Sequence, residues 1–259
     1  MIEEQILLKR EGELAWLTFN RPESRNALTF AMYERLSRIL RELREEKDLR
    51  VLILTGAGRD AFVAGTEISE FRAFRKAADA IAYEERLESI FGDLEEFPRP
   101  TIAMVNGYAV GGGAQMALAC DLRVCSPHAR FGVPIARTLG NCLSTTGYAR
   151  LMELVGPSLT KELLFTGRMI GAEEARGLGL VSDVVAGDKL QQHVRELARS
   201  IARNAPLTLE VTKTAVRLIL ARRRAPLDHD LLLKCYLSED FREGIEAFLG
   251  KRRPHWRGR

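Results

Sequence analysis

Apolar residues recur along this chain in two rhythms. Residues 14–20 (LAWLTFN), 51–55 (VLILT) and 101–105 (TIAMV) are short, nearly unbroken apolar runs rich in strand formers. Strands of that kind belong in a sheet covered on both faces. Residues 122–125 and 181–185 predict two more strands, and 131–134 a short strand or a turn. Between them the spacing turns helical. Leu28, Met32, Leu36, Leu40 and Leu43 fall near one face of a helix predicted over 27–47, with Thr29 as its N-cap. Further helices are predicted over 77–96, 114–120, 147–155, 159–165 and 172–176.

From Lys189 onward only helices are expected, over 190–203, 206–223, 227–236 and 239–249. The change of texture near residue 187 divides the chain into a β/α core, residues 1–187, and a helical C-terminal region, residues 188–259. No linker or low-complexity stretch separates them. The strand–strand–helix rhythm of the first two-thirds fits a spiral of stacked units as well as it fits a doubly wound sheet.

At 259 residues, with 46% hydrophobic and 29% charged positions, the chain has the composition of a soluble globular enzyme with a sizeable core. No apolar run approaches the roughly 18 residues that span a bilayer. The acidic opening, MIEEQILLKREGE, lacks both a secretory apolar segment and transit-peptide character, so a cytoplasmic location is expected. Cys120, Cys125, Cys142 and Cys235 form no CxxC pair and no metal-spaced cluster, so no metal is implied. The net charge of +4 is concentrated late, in Arg222-Arg223-Arg224 and in Lys251, Arg252, Arg253, Arg257 and Arg259. Such runs suit solvated helix faces or the phosphates of a nucleotide-bearing ligand. No nucleic-acid module signature accompanies them, so nucleic acid is not an expected partner. His128, His193, His229 and His255 pair with no serine–aspartate arrangement.

Two glycine-bearing turns carry the candidate chemistry. One is AFVAGTEI (residues 61–68), after the 51–55 strand; the other is NGYAVGGG (106–113), after the 101–105 strand. At each, a buried strand runs into a turn whose backbone N–H groups are unpaired and from which a helix can start. Two such turns side by side place two donors on one carbonyl oxygen. A dinucleotide or P-loop site is excluded, because there is no GxGxxG and no Gly-Lys-Ser/Thr. The plainer alternative is that three consecutive glycines simply permit tight packing.

The strings FVAGTEI and AMVNGYAVGGGAQMALACDLRVCS closely resemble the paired signatures of the enoyl-CoA hydratase/isomerase family of the crotonase superfamily. LTFNRPESRNAL, FTGRMIGAEEARGLGLVSDVV and the ending SEDFREGIEAFLGKRRPHWRGR resemble further segments of that family, in order, so the resemblance covers nearly the whole chain. It implies an α/β fold, a crotonase-like spiral of ββα units with a C-terminal helical region used for oligomerisation and site closure. It also implies an acyl-CoA thioester as substrate, with coenzyme A entering only as part of that substrate, and a homotrimer or dimer of trimers. By the same resemblance, the backbone N–H groups of Thr66 and Gly112 form an oxyanion hole. Arg25, Ala27, Ala64, Glu67, Ile68, Gly111, Pro134, Ile135 and Asn141 are the expected substrate or CoA contacts.

The likeness fails where hydratases of the family carry two catalytic glutamates. The first position is Gln115 here and the second is Ile135, and no carboxylate occurs between Asp121 and Glu153. Gln115 can orient a water but cannot take its proton near neutrality. Hydration needs both an acid and a base, each worth ~10²–10⁴ in rate. Chemistry without a strong base, such as decarboxylation of a malonyl-type thioester, fits those losses best; a catalytically inactive acyl-CoA-binding relative is the alternative. Glu67 and Glu70 flank the first turn, Glu67 as a structural or orienting group, and residues 71–78 are a candidate lid. Cys142 reads as a buried thiol rather than a nucleophile. Arg137 either pairs with a substrate carboxylate or reaches solvent.

Overall fold

The strands of the computed structural model, which describes residues 2–224 and 228–259, alternate between two sheets, and that alternation builds the site. A first turn of helix, α1 (Ile2–Gln5), leads into β1 (Ile6–Glu11), which pairs antiparallel with β2 (Leu14–Phe19). Helix α2 (Phe30–Glu45) follows, capped as expected by Thr29, whose Oγ1 accepts the Met32 N–H. Three strand pairs come next. In each the first member joins β2 in a six-stranded sheet and the second joins a smaller one. These are β3 (Val51–Gly56) with β4 (Ala61–Val63), β5 (Thr101–Val105) with β6 (Tyr108–Val110), and β7 (Leu122–Cys125) with β8 (Arg130–Gly132). Helices α3 (Ala77–Glu95), α4 (Gly112–Ala119) and the short α5 (Ile135–Thr138) follow the successive pairs.

The large sheet runs β1-β2-β3-β5-β7-β10 and the small one β4-β6-β8-β9; β9 is Ile170–Gly171 and β10 Asp183–Val184. Pairing from β2 to β10 is parallel. Each ββα unit is therefore one turn of a spiral, the α/β architecture expected of the chain. The strands 51–55 and 101–105 are apolar throughout because both faces of the large sheet are covered. Leu52, Leu54, Ala103 and Val105 face the main core with α2 and α3, while Ile53, Ile102 and Met104 meet Leu190, Val194 and Ala198 of α8 (Gly187–Ala202).

The two predicted helices, 147–155 and 159–165, lie on either side of a break within α6 (Thr145–Thr166). Gly156 adopts φ 77° and ψ 164° ahead of Pro157 and breaks its regularity. Helix α7 (Ala172–Gly177) precedes β10. Beyond α8 come α9 (Pro206–Ala221), α10 (His229–Tyr236) and α11 (Glu239–Leu249); the predicted start of α10 at Leu227 lies outside the described residues. Strands β1, β4 and β6 escape the apolar-run criterion. In β1 the sequence ILLKRE has only its first residue buried, so it is an edge strand with little pattern. No helix among the described residues is long and apolar enough to cross a membrane.

Candidate active site

The segment FNRPESRNAL is the scaffold of the first glycine turn. Asn26, fully buried at φ 57°, donates through Nδ2 to the carbonyls of Ala57 (3.0 Å) and Ala61 (2.8 Å) and accepts the Arg21 N–H (3.0 Å). It thereby ties the loop before α2 to the end of β3 and the start of β4. Backbone bonds complete the join: Ala64 N to Arg25 O (3.1 Å), Leu28 N to Gly65 O (2.9 Å) and Glu67 N to Leu28 O (2.9 Å). The Thr66 N–H between them has no partner among these bonds. Asn106 braces the second turn by donating to the carbonyls of Gly56, Gly58 and Ala61 at 2.9–3.2 Å.

The three glycines each meet a different demand. Gly111 turns the chain at φ 55°, a conformation that glycine enters without strain. Gly113 lies so close to β4 that a Cβ would sit 2.0 Å from the Val63 carbonyl oxygen. The first turn of α4 is thus pressed against the strand that leads into Gly65. Gly112, between them, opens α4 with its N–H free of any protein acceptor. The two turns meet closely: a Cβ on Gly65 would lie 3.8 Å from the Gly112 nitrogen. Packing is therefore part of what the glycines do, and its result is two free N–H donors side by side.

These donors open on a cavity of about 660 Å³. Every residue expected in the oxyanion hole, at the first glutamate position or in contact with substrate lines it: Arg25, Ala27, Ala64, Thr66, Glu67, Ile68, Gly111, Gly112, Gln115, Pro134, Ile135 and Asn141. Gln115 is buried, and its Oε1 accepts from Arg150 Nη1 at 3.1 Å. That contact leaves its Nε2 without a partner, a donor rather than an acceptor in the cavity wall. Asn141 offers the converse. Its Nδ2 donates to the Tyr236 hydroxyl (3.2 Å), and its buried Oδ1 is unpartnered.

The candidate lid and the late basic run need correction, while Arg137, Cys142 and Glu67 fall within what was expected of them. Residues 71–78 are not a free lid, because Phe71 is buried and its ring packs edge-on against Tyr83 and Phe241 at 5.1 and 5.7 Å. Arg137 is exposed on α5 and does not line the cavity. The Arg222–Arg224 run is not simply solvated. Arg224 pairs with Glu95 (3.0 Å) and Glu153 (2.6 Å). Cys142 is buried, and its hydrogen bond to the Cys235 thiol, together with desolvation, pushes its pKa far up, so it is no nucleophile. Glu67 pairs with Arg21 (3.4 Å), and Glu70 accepts the Phe30 N–H (3.4 Å).

What the sequence reading missed comes from α3, which crosses the cavity and presents Tyr83, Glu84, Leu87, Glu88 and Phe91 to it. The Tyr83 hydroxyl meets Thr66 Oγ1 at 2.7 Å, and Tyr33 meets the same oxygen from the other side at 2.9 Å. Burial raises both phenol pKa values, so these groups are neutral hydrogen-bonders that fix Thr66. Glu88 is held by Ser144 and by Arg150 Nη2 (3.1 Å), and Arg150 Nε reaches Glu95 at 2.9 Å. Burial by itself lowers the Arg150 pKa, but the two carboxylates more than offset it and hold the cation firmly charged. Glu84 is 5% exposed; among the described residues no cation pairs with it, and its hydrogen bond comes from the Tyr236 hydroxyl. Burial pushes its pKa up to about 8, with the neighbouring Glu88 charge adding to the shift and the Tyr236 bond opposing it. A signal was available. Glu84 falls within the apolar stripe Ala80, Tyr83, Leu87, Phe91, Leu94, where a carboxylate is out of place.

Paired sheets wound as a spiral thus place two free N–H donors on adjoining turns at the wall of one mostly apolar cavity. The chain matches the enoyl-CoA hydratase/isomerase family over residues 9–259, and it belongs to that family within the crotonase superfamily. It is 35% identical over 256 residues to the short-chain-enoyl-CoA hydratase of Clostridium acetobutylicum, with 96% of this chain and 95% of that one aligned. It is likewise 35% identical over 258 residues to the 2,3-dehydroadipyl-CoA hydratase of Escherichia coli, covering 98% and 99%. Among solved structures, methylmalonyl-CoA decarboxylase in complex with 2-nitronate-propionyl-CoA superposes with a TM-score of 0.88 at 28% identity, covering 98% of this chain and 99% of that one. An enoyl-CoA hydratase/carnithine racemase from Magnetospirillum magneticum gives 0.81 at 32%, covering 99% and 97%.

Proposed function

We infer that the chain is an acyl-CoA enzyme that holds a thioester oxygen between the N–H groups of Thr66 and Gly112 and stabilises it as an enolate. The observation that carries this is the pair of unpartnered donors on adjoining turns, fixed by Asn26, Asn106 and the contact of Gly113 with β4. Preorganised donors of this kind stabilise charge as it develops and need no rearrangement to do so. Coenzyme A is part of the substrate, lying along Arg25, Ala27, Ala64 and Ile68, with Lys251 at the same cavity as a cation for its phosphates.

The reaction proposed is decarboxylation of a malonyl-type thioester rather than two-glutamate hydration. Gln115 and Ile135 stand where hydratases of the family carry glutamates. Glu88, which lines the cavity from α3, is clamped by Arg150 and Ser144 and is not free to activate water. Decarboxylation needs no base, because the departing CO₂ leaves its electron pair behind. A mass-spectrometric screen against enoyl, 3-hydroxyacyl, malonyl-type and aryl thioesters of coenzyme A tests this. CO₂ loss from a malonyl-type member is expected. Hydration of crotonyl-CoA at rates usual for such enzymes sinks the choice of reaction, and binding without turnover across the panel points to the non-catalytic relative.

Self-association as a trimer or dimer of trimers is part of the same proposal. Helix α9 has no buried residue in the single chain, and Leu207, Val211 and Leu218 form an exposed apolar stripe along it. Sedimentation should show an oligomer for the wild type and a monomer for Val211→Glu, which buries a charge in that contact. A monomeric wild type would refute the assembly and leave the chemistry untouched.

A further inference from the structure

Four carboxylates of this region, Glu88, Glu95, Glu153 and Asp121, are each paired with an arginine or lysine at 2.6–3.1 Å. Glu84 is the exception. It is the most deeply buried of the set, it lines the same cavity as Thr66 and Gly112, and its one hydrogen-bond partner among the described residues is a tyrosine hydroxyl. A carboxyl group taken out of water with no cation beside it keeps its proton. The Tyr236 hydroxyl occupies one of its oxygens, and the second has no protein partner. The groups packed around it are Tyr83 and Glu88 of its own helix, Tyr33 of α2, Cys142 and Tyr148 from the 142–148 segment, and Tyr236 of α10. None of them is a base at neutral pH that would take the proton away.

We propose that Glu84, carried on α3 rather than at either of the family's usual glutamate positions, is the acid that protonates the α-carbon of the enolate. This deepens the function proposed above and rests on it. The C–C bond to the carboxylate breaks, CO₂ leaves, and its electron pair enters the enolate whose oxygen the Thr66 and Gly112 N–H groups hold. The enolate then collapses, forming a C–H bond with the Glu84 proton and restoring the thioester carbonyl. Glu84 is left as an unpaired buried carboxylate, and that cost drives it to recover a proton from solvent before the next turnover. Tyr236, itself aimed by Asn141, positions the carboxyl and does not touch the reacting carbon.

The test uses methylmalonyl-CoA in deuterium oxide and follows two quantities: CO₂ release and the handedness of the deuterium at the product α-carbon. Wild type should give a single hand. Glu84→Gln keeps the shape and loses the acid, so turnover should fall at least about a hundredfold, the low end for a positioned proton-transfer group. The residual product should be racemic, because solvent then supplies the proton from either face. Tyr236→Phe covers the case in which Glu84→Gln does not fold. Losing the hydroxyl donor removes a contact that lowers the Glu84 pKa, so the alkaline limb of the activity profile, expected near pH 8, should move to higher pH. Unchanged rate and unchanged handedness in Glu84→Gln, or an unmoved limb in Tyr236→Phe, overturn the role of Glu84 and leave the decarboxylation standing. No CO₂ release by wild type, with turnover of another thioester, overturns the decarboxylation and the role of Glu84 with it.

Discussion

Gly112→Pro should lower turnover of the responsive thioester by about 10²–10³ relative to Gly112→Ala, the cost of removing one preorganised donor. The alanine variant is the necessary reference. A Cβ at residue 112 comes within 2.9 Å of the Tyr33 hydroxyl, so any side chain there disturbs the Tyr33–Thr66 contact to some degree. Alanine and proline share that disturbance, and only proline lacks the N–H. Residue 112 is the first of α4, a position at which proline is compatible with a helix. The ratio of the two variants therefore isolates the donor. A ratio near one would mean that the Gly112 N–H does not face the developing charge, and the proposed function would lose its main support.

Arg150→Met should destabilise the protein by about 3–5 kcal/mol, the range for breaking a buried ion pair from one side. Arg150 is 2% exposed and supplies Gln115, Glu88 and Glu95 at 2.9–3.1 Å, with its guanidinium 5.3 Å from the centre of the Phe91 ring. Methionine fills much of the same space and leaves the carboxylates behind. Glu95 keeps Arg224, but Glu88 keeps only the Ser144 hydroxyl. Denaturant unfolding at constant slope measures the loss. The sign with pH is fixed. Burial raises the Glu95 pKa, but Arg150 and then Arg224 more than offset it and hold it below the usual range. Without Arg150 that lowering shrinks, so the deficit is present at neutral pH and fades as acid protonates the carboxylate. A loss below about 1 kcal/mol, or one that grows in acid, contradicts the assignment of the network as a buried ionic support of the cavity wall.

The two turns that frame the site were legible because their demands are local. A strand that is apolar on both faces must end in a turn, and glycine at residues 65 and 111 marks the positive φ of each. Their closeness was not legible from spacing. It depends on β4 and β6 pairing in parallel and on the contact of Gly113 with the Val63 carbonyl, two features set by residues some fifty apart. Strand β4 itself is three residues long and gives no periodic signal. The sequence reading weighed Glu67 and Glu70, beside the first turn, as replacements for the missing carboxylates and found none between Asp121 and Glu153. It passed over Glu84 and Glu88, about thirty residues before Gln115, which reach the cavity only because α3 crosses it.

Family, strand–turn–helix units and the glycine-turn residues that line the cavity followed from the amino-acid sequence alone. Burial periodicity, turn conformation and motif spacing are short-range properties that a linear chain records directly. The protonation state of Glu84 is different in kind. The carboxylates of α3 look alike in sequence, and Glu84 and Glu88 are only one helical turn apart. Only the folded chain brings Arg150 to Glu88 and Glu95 while leaving Glu84 with a tyrosine hydroxyl in an apolar pocket. A pKa depends on the solvation and charge that surround a group in three dimensions, so which of these carboxyls has its pKa raised belonged to the tertiary structure.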